Sequence, residues 1–242
     1  MQFLDKVSQF ISKYFFGVKW RCNICGKELF DEASFCPSCE KKLPFIGEDS
    51  CGHCGRKLKV KQEFCSTCKD RLVSIDKSRS VFTYENEVAV LIKKAKFNGR
   101  KYILEIFADY LAQTLVKNFD GIDALVYVPM TKNAKRRRGY NQSEIMARLV
   151  GEKLNLSVLD CVEKVQDTKR QSTLDREQRL KNLQNVFKVT SKKEIIGKNL
   201  LIIDDVSTTG STAETLAKKL KSAGVKTVNL LTVASVAPKM GY

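Results

Sequence analysis

Apolar positions along the chain change period several times, and the changes divide it into segments. Phe3, Leu4, Val7, Phe10, Ile11, Tyr14, Phe15 and Val18 recur three or four residues apart, which predicts an amphipathic helix over 2–16 within an N-terminal segment 1–20. Such a stripe packs against its own domain, docks a partner protein or lies on a membrane surface. From about residue 80 onward, short apolar runs alternate with helical periods. They predict strands over 81–84, 124–128, 199–204 and 227–234, and helices over 87–96, 103–116, 141–154 and 212–223. Gly224 follows the last helix at the position where a left-handed residue ends a helix. Strands separated by helices imply an α/β fold, a parallel sheet with right-handed crossovers and helices on both faces. Ligands of such sheets bind beyond the carboxyl ends of the strands.

Between these parts the pattern is one of cysteine spacing. Cys22, Cys25, Cys36 and Cys39 form a C-x2-C-x10-C-x2-C unit, and Cys51, Cys54, Cys65 and Cys68 repeat it at a constant offset of 29 residues. A two-residue gap lets two thiolates on one knuckle approach a single Zn2+, and two knuckles complete a tetrahedron. Spacing leaves open whether there are one or two zinc ions and how the pairs combine. Disulfides suit export, of which the sequence gives no sign, and four such pairs exceed what a redox site uses. His53, inside the second unit, is a potential substitute ligand but reads as a bystander beside a full set of cysteines. Cys161 stands alone and reads as a buried thiol. A segment this poor in large apolar side chains depends on metal for its fold, worth roughly 10–16 kcal/mol per structural site. Chelation is therefore expected to unfold 21–70 and leave the remainder standing. The stretch 43–47 between the units reads as a linker, and the expected domains are 1–20, 21–72 and 76–242.

Length and charge narrow the partners. The chain has 242 residues, 43 Lys plus Arg against 27 Asp plus Glu, and a formal charge of +16. That excess suits a polyanion (nucleic acid, a phosphorylated small molecule or an anionic membrane surface) or simply a solvated surface. No apolar run approaches the roughly 18 residues of a membrane-spanning helix. Asp5, Lys6 and Lys13 interrupt any secretory signal. A cytoplasmic protein is expected, with peripheral contact at the inner face of the membrane as an option.

The richest stretch runs from Asn199 to Leu220, NLLIIDDVSTTGSTAETLAKKL. An apolar strand ends in Asp204 and Asp205, and Ser207, Thr208, Thr209, Gly210, Ser211 and Thr212 lead into a helix. Free amides and the dipole at a helix start favour a phosphate, and Gly210 permits close backbone approach. The acidic pair suits the vicinal hydroxyls of a ribose, or a divalent metal through water. An ordinary capped strand–turn–helix is the plainer alternative. The segment is neither a Walker A loop nor G-x-G-x-x-G.

The segment resembles the phosphoribosyl-pyrophosphate (PRPP) motif of type I phosphoribosyltransferases. That resemblance implies that Asp204 and Asp205 hold the ribose hydroxyls, that 208–212 hold the 5-phosphate with Ser207 also among the PRPP contacts, and that Mg2+ accompanies PRPP. VYVPMTKNAKRRRGYNQSE (126–144) looks like the pyrophosphate loop, with Pro129, Met130, Arg136 and Arg138 as its candidate contacts. KVQDTKRQSTLDREQRLKN (164–182) looks like the flexible hood, with Lys164, Gln171, Arg176 and Arg179. AKFNGR (95–100) precedes both. In this order, after a doubled four-cysteine ribbon, the motifs are similar to the ComF family of bacterial competence proteins over roughly 21–238. The family implies a cytosolic role in natural transformation, with single-stranded DNA or a DNA-uptake helicase or motor protein as partner.

The residues also speak for themselves. Five of the seven residues 132–138 are basic (Lys132, Lys135, Arg136, Arg137, Arg138), enough to neutralise pyrophosphate, to hold a strand backbone, or to form a solvated loop. Phe97, Tyr102 and Tyr140 lie among basic residues and either stack on bases or pack in the core. Thr208 stands where some purine-salvage relatives carry a carboxylate, and no base-recognition element is evident. Ligand binding is thus better supported than turnover. Three readings follow: a DNA-uptake protein with a PRPP pocket, an active phosphoribosyltransferase of nucleotide salvage, and a zinc-ribbon adaptor with a vestigial pocket.

Overall fold

The computed structural model describes residues 21–30, 33–58, 60, 62–65, 68–69, 74–97, 99–166 and 186–236. The helix expected over 2–16 lies outside them, as do hood residues Gln171, Arg176 and Arg179. The chain falls into two compact units, Met1–Leu43 and Pro44–Tyr242. In the first, one helical turn, α1 (Pro37–Glu40), carries Cys39 after a proline at the helix start, where a missing N–H costs nothing.

The larger unit is built on β1 (Lys77–Thr83), β2 (Ala124–Tyr127), β5 (Asn199–Ser207) and β6 (Thr227–Ser235). They form a parallel sheet in the order β1-β6-β5-β2. Leu200, Leu201, Ile202 and Ile203 of the inner strand β5 are fully buried. Such a run cannot alternate, because both faces of a parallel sheet are covered. One face receives α6 (Ser211–Ser222), whose Ala213, Leu216, Ala217 and Leu220 join Leu200, Ile202, Val228 and Leu230 in one core. Alternation along β5 turns Leu201 and Ile203 to the other face. The sheet also receives α3 (Tyr102–Asn118) on β1 and β6, and α5 (Gln142–Leu154) on β2 and β5. Gly224, at φ 97°, ends α6 as expected. Its N–H reaches the Lys221 carbonyl, and the Val225 N–H reaches that of Leu220.

Three features depart from the sequence expectations. β1 begins four residues before 81, because its polar residues are satisfied inside: Ser80 Oγ pairs with Thr232 Oγ1 at 2.7 Å, and the Ser78 hydroxyl donates to the His53 carbonyl. The basic run is a helix rather than a loop: α4 (Lys132–Arg138) starts with Thr131 Oγ1 accepting from the Ala134 N–H and stops at Gly139, φ 84°. An antiparallel pair, β3 (Val162–Lys164) with β4 (Phe187–Val189), brackets the segment expected as the hood. α2 (Asn86–Phe97) matches its expected position within a residue at each end.

The second ribbon is joined to the sheet. The Ser78 N–H donates to the Gly52 carbonyl (2.8 Å), and the stretch expected as a linker lies along β1, with the Ile46 N–H on the Val81 carbonyl and the Thr83 N–H on the Pro44 carbonyl. Phe45 pairs across the strand with Phe82, and their rings sit 4.8 Å apart. The edge of β1 is thereby covered. The second ribbon and β1 therefore share hydrogen bonds, a connection that the expected independence of the cysteine-rich segment did not include. No described helix is long and apolar enough to cross a membrane.

Candidate functional site

β5 and β2 are parallel neighbours, so the turns after both emerge at one edge of the sheet. β5 continues three residues past Asp204 to Ser207, and α6 begins at Ser211 after Gly210, held at φ 74°. Asp204, Val206, Ser207, Thr208, Gly210, Ser211 and Thr212 line one small pocket with Thr232 beneath. Its free space is about 20 Å3, near that of a single water. Ala213 and Leu230 complete its lining. Thr209 faces solvent and pairs with Ser211 Oγ at 2.9 Å.

The two aspartates diverge, as successive strand residues must. Asp204 Oδ1 accepts from Ser143 Oγ at 2.8 Å and from the Asp205 N–H at 2.9 Å. Burial, then the neighbouring Asp205 charge, pushes its carboxyl up to about 7. Asp205 Oδ2 turns to Lys96 Nζ at 2.7 Å. The sequence reading assigned neither Ser143 nor Lys96. Ser143 lies inside the quoted RGYNQSE run and Lys96 inside AKFNGR, but only the tertiary approach of α5 and α2 reveals their partners.

Beside this site lies a cleft of about 450 Å3. Pro129, Met130, Lys132 and Lys135 line one side and Glu163 and Lys164 another. Lys164 is thus placed with the expected pyrophosphate loop. Arg136 is exposed and lies outside the cleft lining. Arg138 donates to Gln142 Oε1 at 2.9 Å and covers the Phe97 ring at 5.3 Å. Asn141 fixes the junction: its side chain donates to the Val128 carbonyl (3.0 Å) and accepts from the Ser143 N–H to cap α5. Tyr140 is buried, whereas Phe97 is 70% and Tyr102 43% exposed.

The eight ribbon cysteines gather into two groups, Cys22, Cys25, Cys36 and Cys39, and Cys51, Cys54, Cys65 and Cys68. Each consecutive foursome makes its own site, which answers the question of pairing. Sγ–Sγ distances are 3.8 Å for Cys25–Cys36 and 3.9 Å for Cys54–Cys65. A tetrahedron with Zn–S bonds near 2.3 Å has edges of roughly 3.8 Å, so the thiols fit structural zinc. Packed together, they divide. The Ser38 hydroxyl holds Cys36 down at about 6, while burial pushes Cys39 up to about 12. In the second group the Cys54 thiol holds Cys51 down at about 4, and burial pushes Cys68 up to about 12. A dication lets all four ionise together. His53 is outside the ligand set and stacks on Phe64, ring centroids 4.2 Å apart. Cys161 is fully buried, and burial raises its thiol to about 11.

Two known domain families match successive parts of the chain. The double zinc ribbon domain family matches residues 15–77, and the phosphoribosyl transferase domain family matches 106–239. Competence protein F of Haemophilus influenzae is 30% identical over 216 residues, which cover 86% of this chain and 82% of that protein. Competence protein ComFC of Streptococcus pneumoniae is 29% identical, over 86% of this chain and 96% of its own. DNA utilization protein YhgH of Salmonella typhi is 30% identical, over 86% and 87%. With a double ribbon ahead of a phosphoribosyl transferase domain, and this similarity along most of its length, the chain belongs to the ComF family.

Proposed function

We propose that the chain binds PRPP with Mg2+, or a related phosphoribosyl ligand, at the carboxyl end of β5, and that it acts in the cytoplasm in handling single-stranded DNA during uptake. The observation that carries the ligand reading is the convergence of Asp204, Ser207, Thr208, Gly210, Ser211 and Thr212 on one pocket at the start of α6. In this reading the amides and hydroxyls of 207–212 hold the 5-phosphate, and Asp204 and Asp205 accept the ribose hydroxyls. The paired carboxylates are hard oxygen donors of the kind Mg2+ takes, directly or through water. Bound with the ligand, Mg2+ supplies charge neutralisation at the pyrophosphate. Lys132, Lys135 and Lys164 around the neighbouring cleft, with Pro129 and Met130, suit that pyrophosphate, and Arg136 and Arg138 sit on the same helix. Gln171, Arg176 and Arg179 would complete the cover as hood residues.

The DNA reading draws on the competence and DNA-utilization names of the relatives. It also draws on exposed Phe97 and Tyr102, which flank exposed Arg100 and Lys101 in the chain, and on Arg138 over the Phe97 ring. Aromatic rings among cations suit a single strand, because every base offers a face to stack and every phosphate a charge. A helicase or motor protein of DNA uptake is the protein partner this role requires. One observation favours a second reading, an active transferase: the cleft of about 450 Å3 adjoining the site has room for an acceptor.

Binding of PRPP with Mg2+ and of single-stranded DNA, measured in the wild type and in Asp204→Ala/Asp205→Ala, tests both halves. The reading expects PRPP binding lost and DNA binding spared. DNA affinity insensitive to salt would refute phosphate contacts, since each neutralised phosphate gives a log–log slope of about −0.7 on single strands.

A further inference from the structure

The last turn of α2 carries three consecutive residues with partners on β5, on α4 and just beyond α4. The Ala95 carbonyl accepts the Tyr140 hydroxyl. Lys96 pairs with Asp205, and Phe97 lies beneath the Arg138 guanidinium. The last carbonyls of a helix have no partner within it, so Tyr140 satisfies one of them from outside. A cation in that turn also complements the negative end of the helix dipole. The AKFNGR segment thus ties the acidic strand end to the basic helix α4, and Lys96 stands between the two.

We propose that Lys96 is a ligand-binding residue of the phosphoribosyl site: its ammonium pairs with Asp205 until ligand arrives, then passes to the pyrophosphate. The proposal rests on the reading of that site as one for PRPP. The Lys96 and Asp205 side chains are only 22% and 16% exposed, so neither charge is well served by water. When a sugar hydroxyl or a divalent cation claims Asp205, Lys96 loses its counter-charge in a place where an unpaired cation is costly. A ligand bearing pyrophosphate brings the replacement anion, and the residue after Lys96 already contacts α4. A ligand without pyrophosphate brings none. Lys96 therefore selects for the pyrophosphate end, separately from the 5-phosphate held by 207–212.

Calorimetric titration of the full-length protein with PRPP and with ribose 5-phosphate, both with Mg2+, tests this in Lys96→Gln and Lys96→Arg. Glutamine keeps a donor for Asp205 and removes the charge, whereas arginine keeps the charge. Lys96→Gln is expected to weaken PRPP binding at least about 10-fold, the scale of a hydrogen bond to a charged group, and to change ribose 5-phosphate binding less than about threefold. Lys96→Arg should bind PRPP within about threefold of wild type. Equal loss of both ligands in Lys96→Gln would make Lys96 a pin for α2 and overturn the assignment. So would unchanged or tighter PRPP binding. If Lys96→Gln does not fold, a loss of PRPP binding in Lys96→Arg matched by that of ribose 5-phosphate overturns it equally. A wild type that binds neither sugar phosphate instead defeats the reading of the site itself.

Discussion

The two ribbons are the same object at an offset of 29 residues, down to individual hydrogen bonds. The Cys22 N–H reaches the Lys27 carbonyl and the Gly26 N–H that of Cys22; in the second ribbon Cys51 reaches Arg56 and Gly55 reaches Cys51. The Arg21–Glu28 bridge recurs as Ser50–Lys57. What differs is the setting. In the first ribbon Cys25 is exposed; in the second all four cysteines are buried. A Cβ on Gly26 would meet nothing within 4 Å, whereas on Gly55 it would lie 2.9 Å from the Arg79 carbonyl carbon and from Ser80 Oγ. Duplication copied a knuckle that one zinc can close. The second copy also lies against the sheet's edge, joined to β1 by the Ser78 N–H on the Gly52 carbonyl and the Ser78 hydroxyl on that of His53.

The most severe way to break this comparison is to remove each zinc in turn. Cys51→Ser/Cys54→Ser should lower the Tm of the large unit by more than about 10 °C or prevent its folding, because a structural site is worth roughly 10–16 kcal/mol. Cys22→Ser/Cys25→Ser should leave that main transition within about 2 °C, with zinc content falling by one in either case. Equal effects, followed by circular dichroism and metal analysis, would show that the setting does not matter. The glycines give a finer contrast. Gly55→Ala combines a left-handed backbone, φ 68°, with a backbone clash and should cost about 3 kcal/mol in urea denaturation. Gly26→Ala, at φ 76° in open space, should cost about 1 kcal/mol.

The smallest effect sharpens the idea that the second ribbon and the ligand site unfold together. The Asp204 carboxyl has its folded pKa raised to about 7, against an unfolded value near 3.9. The folded state therefore holds the extra proton between those values, and the carboxyl's contribution to stability falls as pH rises through that window. Asp204→Asn removes the dependence. It should raise Tm at pH 8, by less at pH 6 and by nothing near pH 4, while abolishing PRPP binding. The gain must appear in the transition that releases the second zinc. A gain confined to a separate transition would uncouple the two.

Legibility followed the range of the interactions. Spacing alone disclosed the metal ligands, because a two-residue gap is local to each knuckle, whereas the pairing of knuckles came from the structure. The inner strands of the sheet and the helices over them were readable because burial imposes a period. β1 was misread at its start, since Ser78 and Ser80 look like surface until His53 and Thr232 satisfy them. α4 was missed because a run of basic residues has no apolar period, and its helix is set by the Thr131 cap and Gly139.

The sequence by itself determined which residues bear chemistry here: eight thiols in two foursomes, two adjacent carboxylates and a hydroxyl-rich turn. Only the tertiary structure decided how they are partnered. It set the second knuckle against β1, parted Asp204 from Asp205 and gave them Ser143 and Lys96. Ligand type and short spacing are properties of neighbouring residues, whereas a counter-charge arriving from another helix depends on how the whole sheet is covered.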